Sequence, residues 1–378
     1  MRQSRLHLEW SGAPARSFHT GVSLHSHTLH SREPLSFLYR LAERIGPLCG
    51  ALKRSEAQFR GKDGSALDPA RAWWTPPAGP LEAWLLERNH IERRFGLAAL
   101  VSLTDHDDID APVKLRVLGE CRDVPVSVEW TVPYGPTFFH LGLHNIAPHA
   151  ARTIFAELQI LTARPKIRAI AAMLRVLASD PATLIVFNHP AWDEHGVGQE
   201  KHMELAMLFL HAYGEFIHAV ELNGLRRWKE NRLAWRMARD TDKPIVAGGD
   251  RHALEPNALL DLTTVGCFPE FVEQVRSGWS DVLVTSQYRE PLALRILQSV
   301  QETLQDYETH ACGWRCWRDR VFYQCDDGLV RPLMALVPER IPAALQFLVG
   351  AVSVIRGQAF SKPLRTLRSV LPQHELAL

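Results

Sequence analysis

The chain has 378 residues, 46% apolar and 22% charged, with 43 basic against 42 acidic side chains and a formal net charge of +1. That length is enough for a large core, the apolar share is that of a globular protein, and the balanced charge excludes a chain drawn as a whole to polyanions. No apolar run reaches the roughly 18 residues that a membrane span needs, and "MRQSRLHLEWSG" lacks the apolar stretch of a secretory leader, so the expected location is the cytoplasm.

In chain order, the strand-like runs are "GVSLH" (21–25), "LAALVSL" (97–103), "VPVSVEW" (124–130), "TFFHLGL" (137–143), "TLIVFN" (183–188), "HAVELN" (218–223), "PIVAGG" (244–249) and "DVLVTS" (281–286). They are rich in Val, Ile, Phe and Leu, as buried strands are. Between them lie segments of helical period, among them 151–179 and 199–217. Such alternation predicts a largely parallel sheet or barrel with a helical exterior. Residues 46–82, rich in Gly, Pro and charge, interrupt it as an insertion, in which Trp73 and Trp74 read either as a lid or as a plug for an apolar gap. From about 291 to 378 the alternation stops, and a mostly helical extension is expected; "IPAALQFLVGAVSVI" (341–355) reads as a buried or partner-facing helix.

The six cysteines (Cys49, Cys121, Cys267, Cys312, Cys316 and Cys325) are scattered and read as unpaired thiols. His310 with Cys312, Cys316 and Cys325 matches no familiar zinc spacing.

The histidines and acids fall where chemistry is expected. His25 and His27 end the first strand two residues apart, which aims both imidazoles at one side. Asp105 and His106 follow the second run, Glu129 lies near the end of the third, and His140 and His144 share a face of the fourth. His189 follows the fifth, Glu221 and Asn223 end the sixth, and Asp250, Arg251 and His252 follow the seventh. Active sites of α/β barrels gather at the C-terminal ends of the strands. Imidazole with carboxylate suits zinc, manganese or iron, and a bridging carboxylate suits paired metals. Arg226, Arg227 and Arg251 place guanidinium groups near the strand ends, where they would clamp a phosphate. Trp192 either stacks on a nucleobase or floors the site. Asp107 reads as a helix cap, and Glu221 and Asn223 either as support for a ligand or as strand-end hydrogen bonding. His19, His30, His149, His195 and His202 have no comparable placement. The seven basic residues of 226–243 read as the charged outer face of a helix rather than a nucleic-acid contact.

The series "H25-S-H27-T", "T-D105-H106-D", "E129", "H140", "N-H189-P" and "G-G-D250-R-H252" resembles the motifs of the PHP (polymerase and histidinol phosphatase) superfamily, over residues 18 to about 290. The resemblance implies a distorted (β/α)7 TIM-like barrel over 18–290, holding two or three divalent ions (zinc, manganese or iron) and hydrolysing a phosphomonoester or a nucleotide phosphodiester. By position, His25, His27, Glu129 and Asp250 would hold one ion, and Glu129, His140 and His189 a second, with His144 as the alternative to His140. His106 and His252 would hold a third. Its remaining ligand would come from Arg32 or Glu33, of which Glu33 alone can bind a metal; Ser23 stands where the family carries an aspartate. Asp105, His106 and Arg251 are the catalytic candidates, and Arg226, Arg227 and Trp192 the substrate contacts. The alternatives are a non-catalytic PHP-type module acting through its C-terminal extension, or amidohydrolase chemistry on a similar barrel.

Overall fold

The structure is a computed structural model that describes residues 3–11, 17–34, 68, 71–303, 310, 312–314 and 316–336. Most of the insertion, the helix expected at 341–355 and the rest of the extension beyond 336 lie outside the described residues. The chain divides into two compact units, one of Met1–His30, Ala78–Arg295 and Pro372–Leu378, the other of Ser31–Pro77 and Ile296–Leu371.

The described part of the first unit holds strands β1 (Gln3–Leu8), β2 (Thr20–Ser23), β3 (Ala98–Val101), β4 (Val128–Tyr134), β5 (Thr137–His144), β6 (Leu184–Phe187), β7 (Ala219–Asn223), β8 (Ile245–Gly248), β9 (Leu259–Thr263) and β10 (Trp279–Val284). Its helices are α1 (Pro80–His90), α2 (Asp110–Leu115), α3 (Ala151–Ala163), α4 (Ile167–Ser179), α5 (Gln199–Tyr213), α6 (Trp228–Asp240) and α7 (Phe268–Arg276). One five-stranded sheet runs β1-β10-β9-β2-β3 and the other β8-β7-β6-β5-β4.

This arrangement corrects the barrel expected from the sequence. Both sheets are mixed, and no ladder closes them into a barrel among the described residues. Isolated parallel bridges at Ser26–Arg251 and His106–Glu129 link them instead. The physical cause is strand direction. Gly135 takes φ 58° in a two-residue turn between Tyr134 and Thr137, so β5 folds straight back on β4 as a hairpin. β5 then runs antiparallel to β6, and β9 runs antiparallel to both β2 and β10. Apolar runs reveal a strand, not the direction of its partner. Element limits also differ from the sequence reading. β4 begins four residues later than expected. The long helical period divides into α3 and α4 around Pro165, which cannot continue a helix. β1 and β9 were not anticipated, and β9 carries a buried Asp261 in an otherwise apolar run.

Successive residues of the central strands bury opposite faces. On β6, Ile185 and Phe187 join Trp130, Phe139, Leu174 and Phe209 beneath α3, α4 and α5. Leu184 and Val186 face the other way, against Val22, Val246, Phe271 and Val275. Each such side chain contributes about 1.5–3 kcal/mol of burial against the entropy of ordering the chain. Both faces of the sheet are thus filled, and the polar groups collect at the strand ends. Along α6, Trp228, Asn231, Ala234, Met237 and Ala238 are buried while Lys229, Arg232, Arg236 and Arg239 are exposed, the amphipathic pattern of a surface helix. No described helix is long and apolar enough to cross a membrane.

In the second unit, the described strands Glu33–Pro34, Ala72–Trp74, Val321–Gln324 and Val330–Pro332 form one antiparallel sheet. Trp73 stacks on Phe322 and lies under the Arg32 guanidinium, 5.2 Å from its ring centre. The buried Arg320 donates to the Thr75 carbonyl at 2.9 Å. The five described cysteines are free thiols.

Candidate metal centre

Glu129, the second residue of β4, is fully buried, and its two oxygens face different groups of imidazoles. Oε2 lies 2.9 Å from His25 Nε2, 3.4 Å from His27 Nε2 and 3.3 Å from His106 Nδ1. Oε1 lies 3.1 Å from His189 Nε2 and 3.5 Å from His140 Nδ1, and accepts from Asn188 Nδ2 at 2.9 Å. Five histidines from four segments thus meet on one carboxylate. One ligand atom from each of His25, His27 and Glu129 lies within 4.8 Å of the others, and the same holds for His106, Glu129 and His140.

His140 joins this group because β5 is antiparallel. Its early residues lie beside the end of β6, where the Asn188 N–H donates to the His140 carbonyl at 3.0 Å. His144 shares its face but sits four residues on, roughly 13 Å along the strand. There its Nδ1 pairs with Ser102 Oγ at 2.8 Å, and burial pushes its pKa down to about 3. The structure therefore brings His140 to the cluster and leaves His144 out. Gly142 between them is required: a Cβ there would lie 2.8 Å from both Asn188 Oδ1 and His144 Nε2.

Asp250 divides its oxygens in the same way. Oδ2 takes the Arg226 Nη2 at 2.6 Å, while Oδ1 faces His27, His252 and His25 at 3.5, 3.5 and 3.7 Å. His27 stacks between His106 and His252, with ring centres 4.6 and 4.2 Å away. Glu221 settles the alternative left open for it: Oε1 accepts His25 Nδ1–H at 2.5 Å and Oε2 accepts the His189 N–H at 2.7 Å. It orients the His25 imidazole and pins the His189 backbone, and Asn223 Nδ2 in turn donates to Glu221 at 2.9 Å.

The electrostatics follow from this packing. Burial alone would raise the Glu129 carboxyl, but His25, His106 and His140 outweigh it and hold it well below the ordinary value. Asp250 is likewise held well below, with burial overcome chiefly by Arg226. Burial opposes charge on His25, yet Glu129 and Glu221 raise its pKa well above 6.5. His140, by contrast, is driven well below 6.5 by burial. The backbone is strained here as well. Of the six non-glycine residues with positive φ among those described, His25 (64°), His189 (26°) and Asp250 (54°) carry side chains of the cluster, and Asp107 (47°) adjoins it. Such conformations cost on the order of 1–3 kcal/mol each and persist only where the surroundings over-determine them.

Several expected residues lie elsewhere. Asp105, expected as a catalytic group, instead anchors the loop after β2, accepting the Thr28 N–H at 2.5 Å and its hydroxyl at 2.7 Å. Arg251, expected to clamp a phosphate, is buried and turned away: Nε donates to Glu87 at 2.9 Å and Nη1 to the Ala253 carbonyl at 2.5 Å. Arg227 stands exposed at the start of α6, where its N–H donates to Glu230. Glu33 is buried, and its carboxylate accepts from Ser31 Oγ at 2.5 Å. Asp107 accepts the Thr131 N–H at 2.9 Å and so ties the second motif to β4. His202 is bound to the Pro190 carbonyl at 3.0 Å.

Arg226 lies over the Trp192 ring at 3.6 Å from its centre, a cation–π stack at the rim of the cluster. Trp192, Phe138, Phe139, His140, Asn188, His189 and Glu194 line a cleft there. Glu194, whose carboxylate lies 4.0 Å from His140 Nδ1, was not foreseen: it carries no motif and follows the H-P pair in a loop that Asp193 holds by accepting three N–H groups.

No family model and no curated protein matches the sequence. Solved structures that resemble it in part include the following three. A candidate metal-dependent phosphoesterase of Bifidobacterium adolescentis aligns at 11% identity over 53% of this chain and 92% of its own, with a TM-score of 0.33. An amidohydrolase from Chromobacterium violaceum with bound sulfate aligns at 16% identity over 47% and 84%, with a TM-score of 0.30. PsfC from Pseudomonas syringae aligns at 14% identity over 60% and 90%, with a TM-score of 0.37.

Proposed function

We propose that this chain is a metal-dependent phosphoesterase of PHP type, acting on a phosphomonoester or a nucleotide phosphodiester. The observation that carries the reading is the division of Glu129: Oε2 faces His25, His27 and His106, and Oε1 faces His140 and His189. A carboxylate with imidazole nitrogens gathered around each oxygen is the donor set of a bridged metal pair. His25, His27 and Asp250 Oδ1 would hold an ion on one side, and His140 and His189 one on the other, with His106 and His252 flanking His27 as donors for a third. Divalent zinc, manganese or iron suits these donors and, when bound, supplies charge that polarises phosphoryl oxygens and lowers the pKa of water.

The chain's own residues prepare that chemistry. Glu221 holds the His25 Nδ1–H, fixing the tautomer that leaves Nε2 facing Glu129, the carboxylate–histidine arrangement typical of metal ligands. Arg226 and Asn223 occupy Asp250 Oδ2 and leave Oδ1 to the centre. Phe138 and Trp192 form apolar walls for the leaving group, and Glu194 offers it a polar contact.

The test is metal analysis of the purified protein, with hydrolysis of p-nitrophenyl phosphate and its bis ester under added manganese, for wild type and His189→Ala. Two or three ions per chain, with turnover lost in the variant, are expected, and the preferred ester separates monoesterase from diesterase. No bound metal and no turnover on either ester would overturn the reading.

A further inference from the structure

Two residues before His25, where the resemblance places an aspartate, this chain has Ser23. A carboxylate nevertheless reaches that spot. The Ser23 hydroxyl donates to Glu87 Oε2 at 3.0 Å. Glu87 projects from α1, on the face that also buries Ala83 and Trp84, and is itself wholly buried. Arg251 Nε–H donates to its Oε1 at 2.9 Å, and the Asn257 N–H approaches both oxygens at 3.2–3.3 Å. The Asn257 amide closes the web, donating from Nδ2 to Ser23 Oγ at 2.7 Å, the Leu24 carbonyl at 3.0 Å and Ser26 Oγ at 3.2 Å.

The web joins the two segments that carry His25, His27, Asp250 and His252. The His27 N–H donates to the Arg251 carbonyl at 2.9 Å, and the Asp250 N–H to the His25 carbonyl at 2.7 Å. Both His25 and Asp250 have left-handed backbone, so each depends on its surroundings to hold its shape. Arg251 lies between Asp250 and His252, and its buried guanidinium pairs with the Glu87 carboxylate.

We propose that Glu87 is a positioning residue of the metal centre: from α1 it supplies the buried carboxylate absent at position 23 and, through Ser23, Arg251 and Asn257, holds both strained segments in register. The inference rests on the metal-centre reading above. It assigns Arg251 to this same role, in place of contact with phosphate.

The experiment moves the carboxylate. Manganese affinity is titrated on full-length wild type, Glu87→Gln, Ser23→Asp and the double exchange Ser23→Asp/Glu87→Ala, with the thermal midpoint of each measured in chelator. Loss of an outer partner costs about 10–100-fold in metal affinity. Glu87→Gln should bind manganese about tenfold more weakly even where its chelated midpoint matches wild type. The double exchange should recover most of that loss, whereas Ser23→Asp alone, which sets two carboxylates against one guanidinium, should not gain. Should Glu87→Gln fail to fold, the double exchange still decides, since a folded double variant of near-wild-type affinity supports a carboxylate that can be relocated. Unchanged affinity in a folded Glu87→Gln, or a folded double variant that binds manganese about tenfold or more below wild type, would overturn the proposal while leaving the metal centre standing. A wild type that binds no manganese overturns both.

Discussion

Glu87 and Glu129 are both wholly buried within the first unit, and their surroundings differ in kind. Glu129 is ringed by imidazoles, whose nitrogens can each offer a lone pair; Glu87 is ringed by groups that only donate hydrogen, namely a guanidinium and a backbone N–H, with a serine hydroxyl turned toward it. Their carboxyls shift in opposite directions. Burial raises Glu87 and Arg251 does not fully reverse it, whereas the imidazoles around Glu129 overcome burial and hold it low. A ring of lone pairs can exchange its protons for a cation; a ring of donors cannot. The first surrounding makes a site, and the second makes a fixture that supports one.

The largest expected effect comes from breaking the first ring. Glu129→Gln keeps the shape but turns an amide toward the imidazoles, and metal content should fall toward zero. Aryl-phosphate turnover should drop by more than the roughly 10–100-fold that loss of an outer partner costs. Turnover within tenfold of wild type would show that Glu129 is not the shared ligand.

Next comes the second ring. Arg251→Met leaves Glu87 buried without its counter-charge, a loss of about 3–5 kcal/mol at pH 8. The sign is set by the direction of the shift. A carboxyl whose folded pKa is raised above 4.5 lowers stability as pH climbs through that range, and removal of Arg251 raises it further. Urea unfolding of the metal-free variant should therefore show a smaller deficit at pH 5 than at pH 8. An equal deficit at both would mean that Glu87 does not take up a proton.

The smallest effect sharpens the contrast with a third buried group, one with no charged partner among its hydrogen bonds. His144 has its pKa pushed to about 3 by burial, so the folded chain keeps it neutral while the unfolded chain protonates it below pH 6.5. Stability is lost as pH falls through that range, by about 2 kcal/mol at pH 5. In His144→Gln this part of the acid decline should vanish, with metal content unchanged. A variant that loses metal would place His144 in the centre after all.

Much of the centre was legible in the sequence because its residues follow strand-like runs in a fixed order. His25, His27, His106, His140, His189 and Asp250 were all found that way, and the structure gathers them around Glu129. Two kinds of information were not legible. Strand direction was one: nothing in "TFFHLGL" says that β5 runs backwards, so a barrel was expected and His144 was kept as the alternative to His140. The other was side-chain direction over long sequence separation. Arg251 was read as a phosphate clamp from its neighbours Asp250 and His252, but its partner, Glu87, lies 164 residues earlier in a helix without a motif. Glu194 and Asn257 escaped for the same reason.

The left-handed backbone at His25, His189 and Asp250 has a consequence for the history of such a chain. Glycine would relieve each of these positions, so selection for thermal robustness alone pushes toward losing all three side chains. Their presence in strained backbone fits a demand on the side chains other than robustness. A laboratory lineage evolved only for heat tolerance, with no demand on turnover, should lose them first, and the order of loss would rank how much strain each one stores.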